Sequence, residues 1–333
     1  MAFLNLNIFS RIKNYRKLSK ELQEILAKNP ADAPKFQGIF NLTVDRIYQD
    51  IMDFEKANIE KFESEVYRFK KIFEKRYRQY FVYGEYVKWC VDKPFGYAGD
   101  FKIIDDIYLN QVRTEGFDSL WDRWFQQLAA SCAVRERKED FKKIIYDFIK
   151  NRRNEELRVM DLGCGSCREI RELFEIDSDG VLFDVIFDCY DFDIRAIEYA
   201  KQLLNNLNNV NFFQKNAIRL ALRKDIKDEI GYKYDLIYSS GLFDYLDERI
   251  AVRLINNLNR LLKQDGIMII SNVRDKYSNT SSIWMEWIGE WYLIYRTESE
   301  FEKIFIDSGI SPKNIKIIPQ HSKIMQYCLI KNS

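Results

Sequence analysis

Apolar residues in the first half of the chain recur every three or four positions. Ile59, Phe62, Val66, Phe69, Phe73, Tyr77 and Tyr80 form one stripe, with Lys, Glu and Arg between them. The spacing predicts a long amphipathic helix whose stripe is core or helix contact rather than a cofactor surface. A shorter helix is expected over 11–28, stopped by Asn29-Pro30 and the Ala33-Pro34 step, because the residue before a proline is pushed out of helical geometry. A third helical stretch runs from Ser119 through Arg135 to Lys150, apolar at Trp124, Leu128, Ile144, Ile145 and Phe148. The polar run from Asn151 to Glu156 reads as a boundary.

Beyond that run, short stretches rich in β-branched and aromatic residues alternate with helical patterns. The strands are expected at 158–162, 184–190, 210–214, 234–239, 266–272, 315–319 and 324–331, with helices near 168–175, 194–206, 247–263 and 298–308. The last helix opens on Thr297-Glu-Ser-Glu300, a capping box, and is followed by Gly309. Such alternation implies right-handed crossovers and a doubly wound, mostly parallel seven-stranded sheet, an α/β fold covered on both faces. The final two strands lack a helix between them and suit an antiparallel hairpin. The expected organisation is a helical N-terminal region over 1–150, serving as lid, substrate or partner surface, and an α/β domain over 151–333.

Composition narrows the classes. At 333 residues and 47% hydrophobic, the chain can bury a large core. With 52 basic against 51 acidic residues the formal charge is +1, which gives no general field for nucleic acid or anionic lipid. No uncharged apolar run approaches the about eighteen residues of a membrane helix, so no membrane span is expected. The first ten residues lack a basic start, and Asn5 and Asn7 interrupt their apolar run. Without a secretion signal, six cysteines read as reduced thiols in the cytoplasm.

The chemistry concentrates in Arg158-Val-Met-Asp161-Leu-Gly163-Cys164-Gly165-Ser-Cys167-Arg168-Glu169. A strand ends at Asp161, glycines allow a tight turn, and a helix follows. A dinucleotide site requires a third glycine where Arg168 stands. An acid followed by Gly-x-Gly instead suits a ligand without phosphates that carries an ammonium and a carboxylate, and S-adenosyl-L-methionine is such a ligand. Later strand ends add to the pattern. Asp191-Phe192-Asp193 closes the second strand and offers an acid for ribose hydroxyls, Asp191 first and Asp193 as alternative. Asn216 and Ala217 follow the third strand, where an amide and free backbone groups suit an adenine edge. Ser239-Ser240-Gly241 follows the fourth, small enough for a sulfonium to approach the backbone. Each acid alone is also explicable as a cap or turn former.

These segments resemble the class I S-adenosylmethionine-dependent methyltransferases, a Rossmann-like fold. More narrowly they are similar to the bacterial extracellular-factor or 3-hydroxypalmitic acid methyl ester biosynthesis methyltransferases. The narrower resemblance rests on Lys93-Pro-Phe-Gly96-Tyr97-Ala-Gly99-Asp100, Ala133-Val-Arg135-Glu-Arg137, the glycine turn, Ser240-Gly241-Leu-Phe-Asp244-Tyr245-Leu246 and Trp291-Tyr-Leu-Ile-Tyr295-Arg296-Thr297. It implies methyl transfer to a fatty-acid carboxylate. Residues 1–85 carry no resemblance.

Methyl transfer needs an aligned acceptor kept from water, and a carboxylate needs no general base. Tyr97, Asp100 and Tyr245 are the catalytic-side candidates. Arg135 is a candidate for an acceptor carboxylate and Arg137 for the cofactor's. Trp287, Trp291 and Tyr295 offer an apolar acceptor wall. The plainer readings stand beside these: Asp100 as a helix cap, the arginines as a solvated helix face, the tryptophans as core. Cys164 and Cys167 form a C-x-x-C, but no second pair or His completes a zinc site, and no metal is expected. Rival functions are N-methylation of a small amine or nucleobase, and a cofactor-binding regulatory module without turnover. The expected partner is a small-molecule substrate, not nucleic acid, with the N-terminal helices available for a homodimer contact.

Overall fold

The computed structural model describes residues 6–152, 156–205 and 207–332. The opening residues 1–5 and residues 153–155 of the polar run lie outside the described residues. Two compact units are formed, Met1–Cys132 with Tyr277–Tyr292, and Ala133–Lys276 with Leu293–Ser333. The division falls ahead of residue 150.

The first unit holds α1 (Leu6–Lys28), α2 (Ala33–Asn58), α3 (Glu63–Tyr77), α4 (Glu85–Asp92), α5 (Phe101–Leu109), α6 (Gly116–Gln127) and the short helix Ser282–Trp287. Aromatic rings pack its centre: Tyr15 stacks on Phe81 at 4.9 Å, Phe40 meets Trp121 edge-on at 5.2 Å and Phe73 meets Trp287 at 5.8 Å. The expected continuous helix over 59–80 is instead a turn followed by α3. The amides of Lys61 and Phe62 both bond back to the Asn58 carbonyl and close α2 there. The Ala33-Pro34 step opens α2 rather than stopping α1, since the first turn of a helix needs no amide hydrogen from proline. The stretch 119–150 is likewise two helices, α6 and α7 (Ala129–Lys150), broken where Leu128 takes an extended ψ of 142°.

The second unit contains β1 (Arg158–Leu162), α8 (Arg168–Ile176), β2 (Ile186–Asp191), α9 (Ile194–Leu203), β3 (Val210–Gln214), α10 (Ala217–Leu222), β4 (Tyr234–Ser239), α11 (Glu248–Asn259), β5 (Leu262–Val273), α12 (Glu298–Asp307), β6 (Ile315–Pro319) and β7 (Met325–Lys331). The sheet order is β3-β2-β1-β4-β5-β7-β6, parallel except for β7, which runs antiparallel to β5 and β6. This is the expected doubly wound sheet with its terminal hairpin.

Met160, Leu162, Ile237, Met268 and Ile270 face α10, α11 and α12 through Leu220, Leu254, Leu258, Phe301 and Phe305. On the opposite face Phe141 of α7 packs against Tyr238 and Tyr327, at 6.1 and 5.4 Å between rings. Phe174 of α8 lies 5.9 Å from Phe187. Lys138 and Lys142 of α7 both pair with Glu172 of α8. These contacts are why α7 from residue 133 belongs to the sheet unit. Both faces being covered, the strands can be apolar on each side.

The capping box is present at α12. Thr297 Oγ1 accepts from the Glu300 amide at 3.3 Å, and Glu300 Oε2 accepts from the Thr297 amide at 2.8 Å. Thr297→Ala is expected to lower unfolding stability by about 1 kcal/mol in a urea titration, and an unmoved midpoint would contradict the cap's contribution.

Candidate functional site

β1 lies between β2 and β4, so the chain leaves β1 toward one edge of the sheet and β4 toward the other. A crevice opens beyond the carboxyl ends at such a switch point. The turn after β1 enters it through Gly163 and Gly165, at φ of +76° and +53°, left-handed values that favour glycine. Gly163 and Cys164 donate their amides to the Tyr190 carbonyl at 2.8 and 3.1 Å. The Gly165 amide donates to Asp191 Oδ2 at 3.0 Å, and the Asp193 amide to Asp191 Oδ1 at 2.9 Å. Asp191 thus joins the glycine turn to the end of β2. It is nearly buried, which raises its pKa against the lowering effect of those amide bonds. Each carboxylate oxygen has two acceptor sites, so capacity remains for hydroxyl donors.

Asp193 faces its own helix. It caps α9 by accepting from the Arg195 amide at 3.0 Å and pairs with the Arg195 guanidinium at 2.8 Å. Phe192 between the two acids is half exposed. Asn216 caps α10, accepting from the Arg219 amide at 3.1 Å, with Ala217 in the first turn. Ser239 is fully buried and donates to the Leu162 carbonyl at 2.7 Å, clamping β4 to β1. Ser240 and Gly241 are half-buried beyond it.

Arg137, on the charged run of α7, is buried at 4% exposure and not on a solvated face. Its guanidinium lies over Gly241, where a Cβ would come within 3.2 Å of Nη2, and Nη1 is 3.8 Å from Asp244 Oδ2. The turns after β1 and β4 also touch, since a Cβ on Gly163 would meet Leu242 Cβ at 3.4 Å. The second unit therefore brings together Asp161, Gly163, Cys164, Gly165, Asp191, Gly241 and Arg137.

Asp161 is 1% exposed, and neither carboxylate oxygen has a hydrogen-bond partner among the described residues. Tyr238 and Glu169 stand beside it, but the Tyr238 hydroxyl donates to Glu169 Oε1 at 3.2 Å. Burial, and then the charge of Glu169, push the Asp161 carboxyl well above its ordinary range. Burial also raises Glu169, opposed in part by Arg137.

The sequence reading missed Glu169 and Tyr238, and with them a clamp on the turn after β4. Asp244 Oδ1 accepts from Asn272 Nδ2 at 2.9 Å and the Val273 amide at 2.8 Å. Buried Arg296 donates to the Phe243 carbonyl at 3.0 Å and bonds Asn272 and Leu246. Tyr245, 40% exposed, rides on the clamped turn, and Tyr295 is half-buried next to Arg296. Arg135 is half-buried on α7. The motif Ser240–Leu246 and the Arg296 segment were the available signals, but neither identifies its partners.

Tyr97, Asp100, Trp287 and Trp291 belong to the helical unit. Asp100 caps α5, accepting from the Lys102 and Ile103 amides at 2.9 and 3.0 Å and from Trp89 Nε1 at 2.9 Å. Tyr97 is half-buried in the loop between Gly96 and Gly99. Trp287 is fully buried, donating to Glu55 Oε2 at 2.7 Å and packing on Phe69, a core position. Trp291 is also buried.

Residues 153–309 match a family model described as a methyltransferase domain. A ribosomal protein L11 methyltransferase of Thermosipho africanus (strain TCF52B) is 26% identical over 192 residues, covering 57% of this chain and 62% of that protein. The chain thus spans about three-fifths of the length of the curated relative it matches. A Bordetella parapertussis protein, described as a possible exported protein, aligns with a TM-score of 0.56 at 16% identity, covering 70% of this chain and 79% of that one, and shares the fold. Magnesium protoporphyrin IX methyltransferase from Synechocystis PCC 6803, crystallised with S-adenosylmethionine, aligns at a TM-score of 0.44 and 15% identity over 71% and 99% of the two chains. Residues 153–309 are thus similar to a methyltransferase domain, on a fold that the Bordetella protein shares. Among the described residues no helix is long and apolar enough to cross a membrane.

A carboxyl whose folded pKa exceeds its unfolded value binds a proton on folding, so its penalty grows as pH rises from the ordinary value of 3.8 through the folded one. Asp161→Asn is expected to raise the melting temperature at neutral pH and to flatten its decline between pH 4 and neutrality. A lower melting temperature at every pH would show the carboxylate to be stabilising.

Proposed function

We propose that the chain is an S-adenosylmethionine-dependent methyltransferase acting on an oxygen of a small carboxylate-bearing molecule such as a fatty or hydroxy-fatty acid. The observation that carries the cofactor half is the pair Asp161 and Asp191 on either side of a left-handed glycine turn. A buried carboxylate without a donor fits an ammonium, and a second with spare acceptor capacity fits two ribose hydroxyls. Arg168 in place of a third glycine fits the lack of phosphates. The acceptor half rests on the resemblance to the extracellular-factor and 3-hydroxypalmitic acid methyl ester methyltransferases.

Asp161 would hold the amino group and Arg137 the carboxylate of the cofactor, Asp191 the ribose, and Asn216, Ala217 and Phe192 the adenine. Cys164 lies within the turn, and Ser239 and Ser240 lead into Gly241, whose missing side chain lets the Arg137 guanidinium lie against the backbone. When bound, the cofactor supplies a methyl group activated by a sulfonium. The protein's own part is to align the acceptor and exclude water. Within the sheet unit Arg135, Tyr245 and Tyr295 are the proposed acceptor-side residues, and Asp193 is a secondary cofactor contact. An acceptor carboxylate is already an anion at neutral pH, so no side chain need act as general base.

S-adenosylmethionine or S-adenosylhomocysteine is expected to raise the melting temperature in a dose-dependent way, as any ligand of the native state does. Asp191→Ala should weaken binding by about tenfold or more, since it removes hydrogen bonds to a charged acceptor, while the fold persists by circular dichroism. Release of S-adenosylhomocysteine is expected with carboxylic acids of graded chain length. Turnover of amines but not acids would overturn the oxygen assignment; binding with no turnover on either would leave a regulatory module.

A further inference from the structure

We propose that Asp161, Cys164, Cys167 and Cys189 form a binding site for one thiophilic divalent cation of the zinc class. The C-x-x-C in the sequence has no visible third or fourth ligand. Strand pairing supplies both. Parallel register sets Asp161 of β1 opposite Cys189 of β2, and residues in register project from the same face of a sheet.

The turn after β1 folds back over that face. The Cys167 amide donates to the Cys164 carbonyl at 2.9 Å, and Cys167 takes a left-handed φ of +53° ahead of α8. That conformation is strained for a non-glycine residue, and here it accompanies a thiol with no exposed surface. Donor atoms of Asp161, Cys164 and Cys167 all lie within 4.8 Å of one another. The Cys189 thiol is near enough to those of Cys164 and Cys167 to perturb their ionisation.

Tetrahedral zinc with bonds of about 2.3 Å to sulfur needs donor separations of about 3.8 Å, so a contraction of about 1 Å or less brings Asp161, Cys164 and Cys167 to ligand spacing, with Cys189 as the fourth donor by its register opposite Asp161. An independent observation points to a cation: the two oxygens of Asp161 are buried without a donor. Three thiols and a carboxylate are a donor set that zinc accepts. The thiols must ionise to ligate, so binding releases protons and tightens as pH rises. The site shares Asp161 and Cys164 with the proposed cofactor site, so a bound cation and the cofactor's ammonium would exclude one another at that carboxylate, and the test therefore uses metal alone.

Chelator-treated protein is titrated with zinc chloride against a chromophoric competitor, and with cobalt(II) as a spectroscopic probe. One equivalent of zinc and a sulfur-to-cobalt charge-transfer band are expected. Cys132→Ser, at an exposed thiol of α7 outside the cluster, should bind as the unaltered chain does. Cys167→Gly accepts the left-handed backbone without strain and so keeps the fold, checked by its thermal melt; it and Cys189→Ala should each lose affinity about tenfold or more. Absence of stoichiometric zinc, or unchanged affinity in either cluster variant, would overturn the site.

Discussion

Everything at the carboxyl edge depends on β1 being paired on both sides. A strand hemmed by β2 and β4 cannot turn sideways into the sheet, so its chain must rise over the edge and come down on a covering helix. The backbone groups thus exposed must find partners among neighbouring strand ends. They do so reciprocally: Gly163 and Cys164 bond the Tyr190 carbonyl, the Lys215 amide bonds the Asp191 carbonyl, and the Asp191 side chain returns to Gly165. Left-handed Gly163 and Gly165 let one short turn present its amides in two directions. The crevice is therefore a consequence of strand order, held open by hydrogen bonds that a different order would not bring together.

The same crowding creates an electrostatic problem. Asp161, Glu169, Asp191 and Asp244 are all buried at one edge, and burial raises the pKa of each. Two arginines offset part of this: Arg137 acts on Glu169 and Asp244, and Arg296 on Asp244. Asp244 is also satisfied by Asn272 and the Val273 amide, so it is a finished structural group. Asp161 has no hydrogen bond of that kind, and the lowering effect of Tyr238 is outweighed by burial and the charge of Glu169. A buried carboxylate left unpartnered weakens the fold and favours any cation that reaches it, the usual conflict between stability and function at a site.

The alternation of strands and helices was readable because each β-run is short, apolar and bounded by turn residues, and all seven strands fall at those runs, although β5 begins at Leu262, inside the stretch expected as helix. Helix breaks were not readable. Leu128 and the 59–62 turn contain neither proline nor glycine, and their geometry follows from tertiary packing that periodicity does not encode. Pro34 misled in the opposite sense, since its effect depends on whether it falls in the last turn of one helix or the first turn of the next. At the site, residues in the contiguous glycine turn and at Asp191 were legible because one local motif holds them. Glu169, Tyr238, Asn272 and Arg296 were not, because each matters through a partner tens of residues away that only sheet order brings near.

This difference also separates what the edge says about cofactor and acceptor. The proposed cofactor half consists of backbone amides, glycines and two short acids, all held in place by the sheet order, and that fold is what the comparison at 16% identity shares with this chain. The proposed acceptor half draws on the turn after β4, where Arg296 and Asn272 hold the backbone and leave the Tyr245 side chain 40% exposed. The clamp fixes where Tyr245 starts and leaves its surroundings free to vary. Ser239, by contrast, is tied into the sheet through Leu162 and has no freedom to tune an acceptor. In the proposed reading the sheet therefore fixes the cofactor's place while the acceptor's is left to exposed side chains on a braced turn, and the fold by itself does not determine which atom is methylated.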